Sequence, residues 1–189
     1  MDDRVKTVET QDRSPGWLRM KAYAQIIARE LGWEAARSEI LDLAVVLHDI
    51  GKIGIPDVIL NKPGALTKKE WKIIKEHPVI GAQIVAPSTY GPLIAPIIRA
   101  HHENWDGSGY PDRLKGDEIR EEARLIAVVN AFEVMTTEQP YRSALAANDA
   151  YDEILDNSGS QFDPKMVEAF CRCWDRGQIQ AILEVSEGP

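Results

Sequence analysis

Four histidines carry most of the chemistry this sequence can offer: His48, His77, His101 and His102. Each falls at the end of a segment with helical periodicity. Three have a carboxylate directly beside them: Asp49 after His48, Glu76 before His77 and Glu103 after His102. A single histidine is more often a surface or core residue than a ligand. Four at helix-loop junctions form a pattern, because mid-helix neighbours splay about 100° apart, whereas at a terminus two adjacent rings can turn toward one cavity. Neutral imidazoles with a carboxylate suit Fe, Mn, Zn or Ni, and an aspartate can bridge two such ions. The pair His101-His102 opens the stretch HHENWDGSGYPDRLKG. There Gly107 and Gly109 permit tight turns, Asp106 suits the turn itself, and Tyr110 offers a hydroxyl or a stacking face. Trp105 lies in the same turn and can wall a pocket.

The elements that must position these groups read as helices. Leu18, Ala22, Ile26, Ile27 and Leu31 share one face of a segment from Pro15 to Gly32, and a second helix runs from about Glu34 to Leu47. GKIGIPDVILNKPGAL is dense in Gly and Pro and reads as a connector with at most one short helical turn. Thr67 and Glu70 form a capping box ahead of WKIIKEH. Pro78 ends that helix and can occupy the first turn of the next. GPLIAPIIRAHHE leads into the histidine turn, and the longest pattern runs from about Asp117 to Thr137. NDAYDEILDNSG and DPKMVEAFCRCWDRG supply two further helices. No strict alternation reaches strand length, so the expected fold is all-α with seven to nine helices. Residues 1–13 read as a flexible leader, 14–175 as the domain and 176–189 as a C-terminal tail. Trp71 and Trp174 read as core residues.

Composition narrows the partners. With 189 residues the chain fits one domain with a sizeable core. Its net charge of −8 disfavours a duplex nucleic-acid surface but leaves room for one small anionic ligand in a basic cleft. No apolar run approaches the ~20 residues of a membrane span, and the polar start resembles no targeting signal. A cytoplasmic location is the default expectation. Cys171 and Cys173, spaced i and i+2, suit neither a mutual bridge nor a zinc site.

The segments LHDIGKIGIP, EHPVIGAQI, RAHHENWDGSGYP and AVVNAFEVMTTEQPYR, in that order, resemble the signatures of the HD-GYP family. That family is a branch of the HD phosphohydrolases whose members hydrolyse the bacterial second messenger cyclic di-GMP. The resemblance runs from about Gly16 to about Trp174. It implies an HD-domain helical bundle with additional helices, holding two or sometimes three metal ions. Carried over, one ion takes Asp49, His77, His101 and His102. The other shares Asp49 and takes His48, an earlier histidine and a later aspartate. Lys52 resembles the lysine that contacts the scissile phosphate, Arg142 a second phosphate contact, and Gly109-Tyr110-Pro111 the namesake motif.

The second ion's shell departs from the family pattern. Gly16 stands where the earlier histidine is expected, and Asn130, in VNAFEVMT, where the aspartate is expected. Glycine offers no side-chain donor, and an amide oxygen is a weaker ligand than a carboxylate. One site is therefore complete and a second depleted. Three functions follow as competing expectations: a cyclic di-GMP phosphodiesterase yielding linear pGpG or GMP, with Asp49 and Lys52 as its catalytic residues; a degenerate domain that binds cyclic di-GMP or a signalling protein partner without turnover; and a phosphohydrolase for another nucleotide. Arg142 also has a purely structural alternative, pairing with Glu133 or Glu138.

Overall fold

Apolar residues recurring every three to four positions fold this chain into packed helices. The computed structural model describes residues 16–138 and 143–186. These form α1 (Gly16–Glu30), α2 (Ala35–Leu47), α3 (Asp57–Leu60), α4 (Lys68–Ile74), α5 (His77–Val85), α6 (Gly91–Ala100), α7 (Glu121–Thr136), α8 (Ala147–Asp156), α9 (Pro164–Asp175) and α10 (Gln178–Ser186). Short 3-10 turns occupy Ile50–Gly54 and Gly116–Glu118. No strand occurs among the described residues, so the all-α expectation holds.

The main core joins α1, α2, α7, α8, α9 and α10 with the end of α6, through Ile97 and Ala100. α7 is its axis: Ala123, Leu125, Ile126, Val128, Val129 and Phe132 are buried all round it, which leaves no polar stripe along most of its length. Tyr23 of α1 meets Phe132 edge to face, with ring centroids 5.5 Å apart. A second cluster of Val85, Ile94 and Ile98 ties α5 and α6 to Ile40, Leu43 and Leu47 of α2. That smaller layer carries the histidines.

Local signals explain the helix boundaries. Thr67 accepts the Glu70 N–H while the Glu70 carboxylate accepts the Thr67 N–H, completing the expected capping box. Pro78 sits in the first turn of α5, and Asp163 caps α9 by accepting the Lys165 N–H. Four features differ from the sequence expectation. The Gly/Pro-rich connector contains two short helical turns, the 3-10 turn and α3, because Pro56 starts a new turn at Asp57. The long helix begins at Glu121, after the 3-10 turn at Gly116–Glu118. The region expected as a tail forms α10, whose Ile179 is fully buried against the core. With α3 and α10 included, the described residues form ten α-helices. Trp71 is 49% exposed, whereas Trp174 packs in the core against Phe132, Tyr151 and Phe170.

Candidate metal centre

The last carbonyls of a helix lack intrahelical partners, and three histidines here are held by such groups. His48 caps α2 and its Nδ1 lies 2.7 Å from the Val45 carbonyl. His77 opens α5, with Nδ1 2.7 Å from the carbonyl of Ile74, the last residue of α4. His101 caps α6, with Nδ1 2.6 Å from the Ile98 carbonyl. A carbonyl can only accept, so each Nδ1 carries the proton and each uncharged ring presents an Nε2 lone pair. One backbone device thus fixes tautomer and direction three times over.

The Nε2 atoms converge. Ligand atoms of Asp49, His77, His101 and His102 all lie within 4.8 Å of one another. His77 Nε2 is 3.3 Å from His101 Nε2 and 3.2 Å from Asp49 Oδ1. These are acceptors facing acceptors, an arrangement that needs a proton or a cation between them. Burial, reinforced by His102 and His48, holds His101 well below the usual imidazole pKa. Burial and then His77 push His102 down to about 3. Both rings are therefore neutral donors at neutral pH, the form that binds metal. Burial alone would raise the Asp49 pKa, but His48, His77 and Lys52 together hold it well below the carboxylate range. One carboxylate and three imidazoles match the preference of a divalent transition ion.

Close backbone approach sets this geometry. A Cβ on Gly51 would lie 1.9 Å from the His77 carbonyl oxygen and 2.5 Å from the Gly81 nitrogen. Only glycine lets the 3-10 turn after Asp49 abut the start of α5, and sequence alone did not single it out. Gly109 is equally confined: its Cβ would meet the Asn104 nitrogen at 2.3 Å and Glu103 Cα at 2.6 Å. The loop folds back so that the Tyr110 N–H donates to the His102 carbonyl at 3.1 Å. The Tyr110 ring stacks on His102 with centroids 4.9 Å apart, and the Lys75 ammonium stands 4.7 Å from the Tyr110 ring centre. The Tyr110-Pro111 peptide is cis.

Glu103, which the sequence marks only as the carboxylate beside His102, positions the next loop. Its buried Oε1 accepts the N–H groups of Asp112 at 2.6 Å and Arg113 at 3.0 Å, clamping the loop that carries Tyr110 and Pro111. Its place directly after His101-His102 was the available signal. Asp106 shapes the turn by accepting the Ser108 N–H, and Gly107 has φ +85°. Trp105 lies under the Arg124 guanidinium, 5.1 Å from its ring centre, and its backbone bonds to Gln161 and Gly116. It anchors this loop to the chain around α9.

The remaining expected site residues fall into three groups. His48 lies beside the cluster, with Nε2 3.2 Å from Asp49 Oδ2. Burial works against its charge and the Asp49 carboxylate outweighs that, so its pKa is raised. Lys52 donates to the same Oδ2 at 2.6 Å. Asn130 is half-buried on α7, one turn before Glu133. Glu133 itself is taken by Arg19, and Arg142 lies outside the described residues.

An all-helical bundle that gathers histidines and an aspartate near helix ends, with donor atoms placed so that they could hold a metal ion, is the arrangement of an HD-type domain. A family model described as an HD domain matches residues 2–166. The chain is 40% identical over 169 residues to the cyclic di-GMP phosphodiesterase response regulator RpfG of Xanthomonas campestris, covering 87% of this chain and 43% of that protein. It is 34% identical over 175 residues to the 3'3'-cGAMP-specific phosphodiesterase 2 of Vibrio cholerae, covering 90% of this chain and 34% of that one. A crystal structure of a cyclic GMP-AMP-specific phosphodiesterase of V. cholerae superposes with a TM-score of 0.69 at 20% identity, covering 91% of this chain and 47% of the other. The chain belongs to the HD domain family, and its ordered motifs put it in the HD-GYP branch. It spans less than half the length of these curated relatives. No described helix is long and apolar enough to cross a membrane.

Proposed function

We propose that this chain hydrolyses a phosphodiester bond of a cyclic dinucleotide, with cyclic di-GMP as its substrate, at a divalent-metal centre held by Asp49, His77, His101 and His102. The observation that carries the proposal is the meeting of Asp49 Oδ1, His77 Nε2 and His101 Nε2, acceptor against acceptor at 3.2–3.3 Å. Iron, manganese, zinc and nickel all suit this donor set. Such an ion, when bound, lowers the pKa of water and polarises a phosphoryl oxygen.

The chain's own residues supply the rest. Lys52 stands beside Asp49 at the open side of the cluster, 42% exposed, where its ammonium can meet charge developing on a phosphoryl oxygen. Lys75 adds a second cation next to Tyr110. Gly109, Tyr110 and Pro111 form one wall, with Tyr110 holding the His102 ring from the side. Arg142 is assigned to a second phosphate by the family motif, and a cytoplasmic site of action, with a signalling protein as partner, belongs to the same proposal. Two of the curated relatives carry names that differ in substrate, cyclic di-GMP against 3'3'-cGAMP, so both dinucleotides belong in the assay.

A second function, binding of cyclic di-GMP without turnover, is favoured by Gly16 and Asn130, which deplete the other ion's shell. One experiment separates the two: metal analysis of the purified protein, with product formation followed for both dinucleotides. Hydrolysis expects a bound transition ion and linear product, both abolished by Asp49→Ala. Tight dinucleotide binding with no product from metal-replete protein contradicts it in favour of the second function.

A further inference from the structure

We propose that the centre is built for one ion, with the Lys52 ammonium standing at the Asp49 oxygen that a second ion would share and the Arg19–Glu133 pair filling the place of the missing histidine. This rests on the metal-centre proposal above and departs from the two-ion arrangement that the family resemblance implies.

The donor atoms of the second site, taken one by one, do not fit an ion. Gly16, the first residue of α1, has no side chain. The space a side chain would enter is occupied: a Cβ at position 16 would lie 3.1 Å from Glu133 Oε1, tighter than ordinary packing. Glu133 is no substitute ligand, because both its oxygens are engaged. Arg19 grips it in a fork, Nε to Oε2 at 3.0 Å and Nη2 to Oε1 at 2.5 Å, and the Thr137 hydroxyl donates to Oε1 at 2.9 Å. The pair is buried, with side-chain exposures of 8% and 6%. The Arg19–Glu133 pair is net neutral, so it offers an ion no uncommitted negative charge. Asn130, on the same α7 face one turn earlier, contributes one neutral oxygen at most.

Asp49 divides its two oxygens accordingly. Oδ1 faces His77 in the four-residue cluster, whereas Oδ2 accepts from Lys52 at 2.6 Å and lies 3.2 Å from His48 Nε2. A bridging aspartate would turn Oδ2 to a second ion. Here a single positive charge on a flexible stem occupies that side. Lys52 thereby neutralises the carboxylate and remains available to a phosphate. An ammonium cannot coordinate a water as a metal ion would, so a one-ion centre would activate water from one side only.

The test is metal stoichiometry and affinity. Chelator-stripped protein is titrated with Mn²⁺ by calorimetry, and ions per chain are counted by mass spectrometry after desalting. The wild type should saturate at one ion per chain. Lys52→Met should keep that stoichiometry and bind the ion about tenfold more tightly, since a neighbouring like charge is gone. Gly16→His with Asn130→Asp should stay at one ion, and adding Glu133→Asp, which withdraws the carboxylate by one methylene, should raise the count to two in protein shown to be folded by circular dichroism. Two ions in the wild type, or unchanged affinity in Lys52→Met, would overturn the one-ion centre while leaving the metal-centre proposal standing. No bound ion in the wild type would overturn both.

Discussion

Two clusters of ionisable side chains among the described residues are built on opposite rules. In the Arg19–Glu133–Thr137 cluster every carboxylate oxygen meets a donor, and the fork geometry leaves nothing over for a ligand. In the Asp49–His77–His101–His102 cluster acceptors meet acceptors, while the Nδ1–H groups of His77 and His101 are spent on helix-end carbonyls. The first is complete as it stands and serves the fold. The second is complete only with a cation, and the proposed function places the chemistry there. Residue types alone do not separate the two; the direction in which each polar atom points does.

The contrast is sharpest in single substitutions, and the largest effect is expected at the unsatisfied cluster. Asp49→Ala or His101→Ala should reduce metal content and turnover to background, read by metal analysis and product formation, with little loss of thermal stability. Arg19→Ala should do the reverse. Breaking a buried pair leaves an uncompensated charge and costs about 3–5 kcal/mol, measurable by denaturant unfolding, while the metal count of the folded fraction stays the same. A comparable loss of metal in Arg19→Ala would erase the distinction between the clusters.

Positioning residues come next. Gly51→Ala forces the 3-10 turn away from the His77 carbonyl, so metal affinity should fall by about 10–100-fold, the range for residues that orient ligands, as seen by calorimetric titration. Glu103→Gln leaves the loop one acceptor but makes its buried clamp neutral. A smaller effect is expected there, a raised KM with kcat nearly unchanged, because the loop carrying Tyr110 is loosened while the four ligands stay in place.

The smallest expected effect is on pH dependence in metal-stripped protein. His101 and His102 titrate below the usual imidazole value, so below about pH 6.5 the unfolded chain binds protons that the folded chain refuses. Their contribution to stability is complete above that pH and is lost as the pH falls toward the His102 value of about 3. His48, with a raised pKa, works the other way: its contribution is present below about pH 6.5 and is lost as the pH rises through its folded value. Two groups oppose one, so Tm should decline between about pH 7 and pH 5, and His102→Gln should flatten the decline.

Much of this was legible in the sequence because it rests on local signals. The Thr67–Glu70 box, Pro78 in a first turn, the Asp106–Gly107 turn and the placing of all four histidines at helix ends follow from neighbouring residues. What was not legible depends on contacts distant along the chain. Gly51 is confined by α5, 26 residues on, through the His77 carbonyl. Glu133 finds Arg19 across 114 positions, a pairing that sequence proximity does not suggest. Trp71 resembles a core residue by type and is half exposed, since α4 buries none of its residues. α10 is short, and its place in the bundle shows only in the packing of Ile179, Ile182 and Leu183 on the main core.

The central claim is that Asp49, His77, His101 and His102 hold a divalent ion. Anomalous diffraction from crystals of the protein purified without chelator and equilibrated with Mn²⁺ tests it most directly. The expected result is one anomalous peak within bonding distance of Asp49 Oδ1 and of Nε2 atoms of His77 and His101. Peaks only elsewhere on the molecule, with these three atoms unliganded, would contradict it.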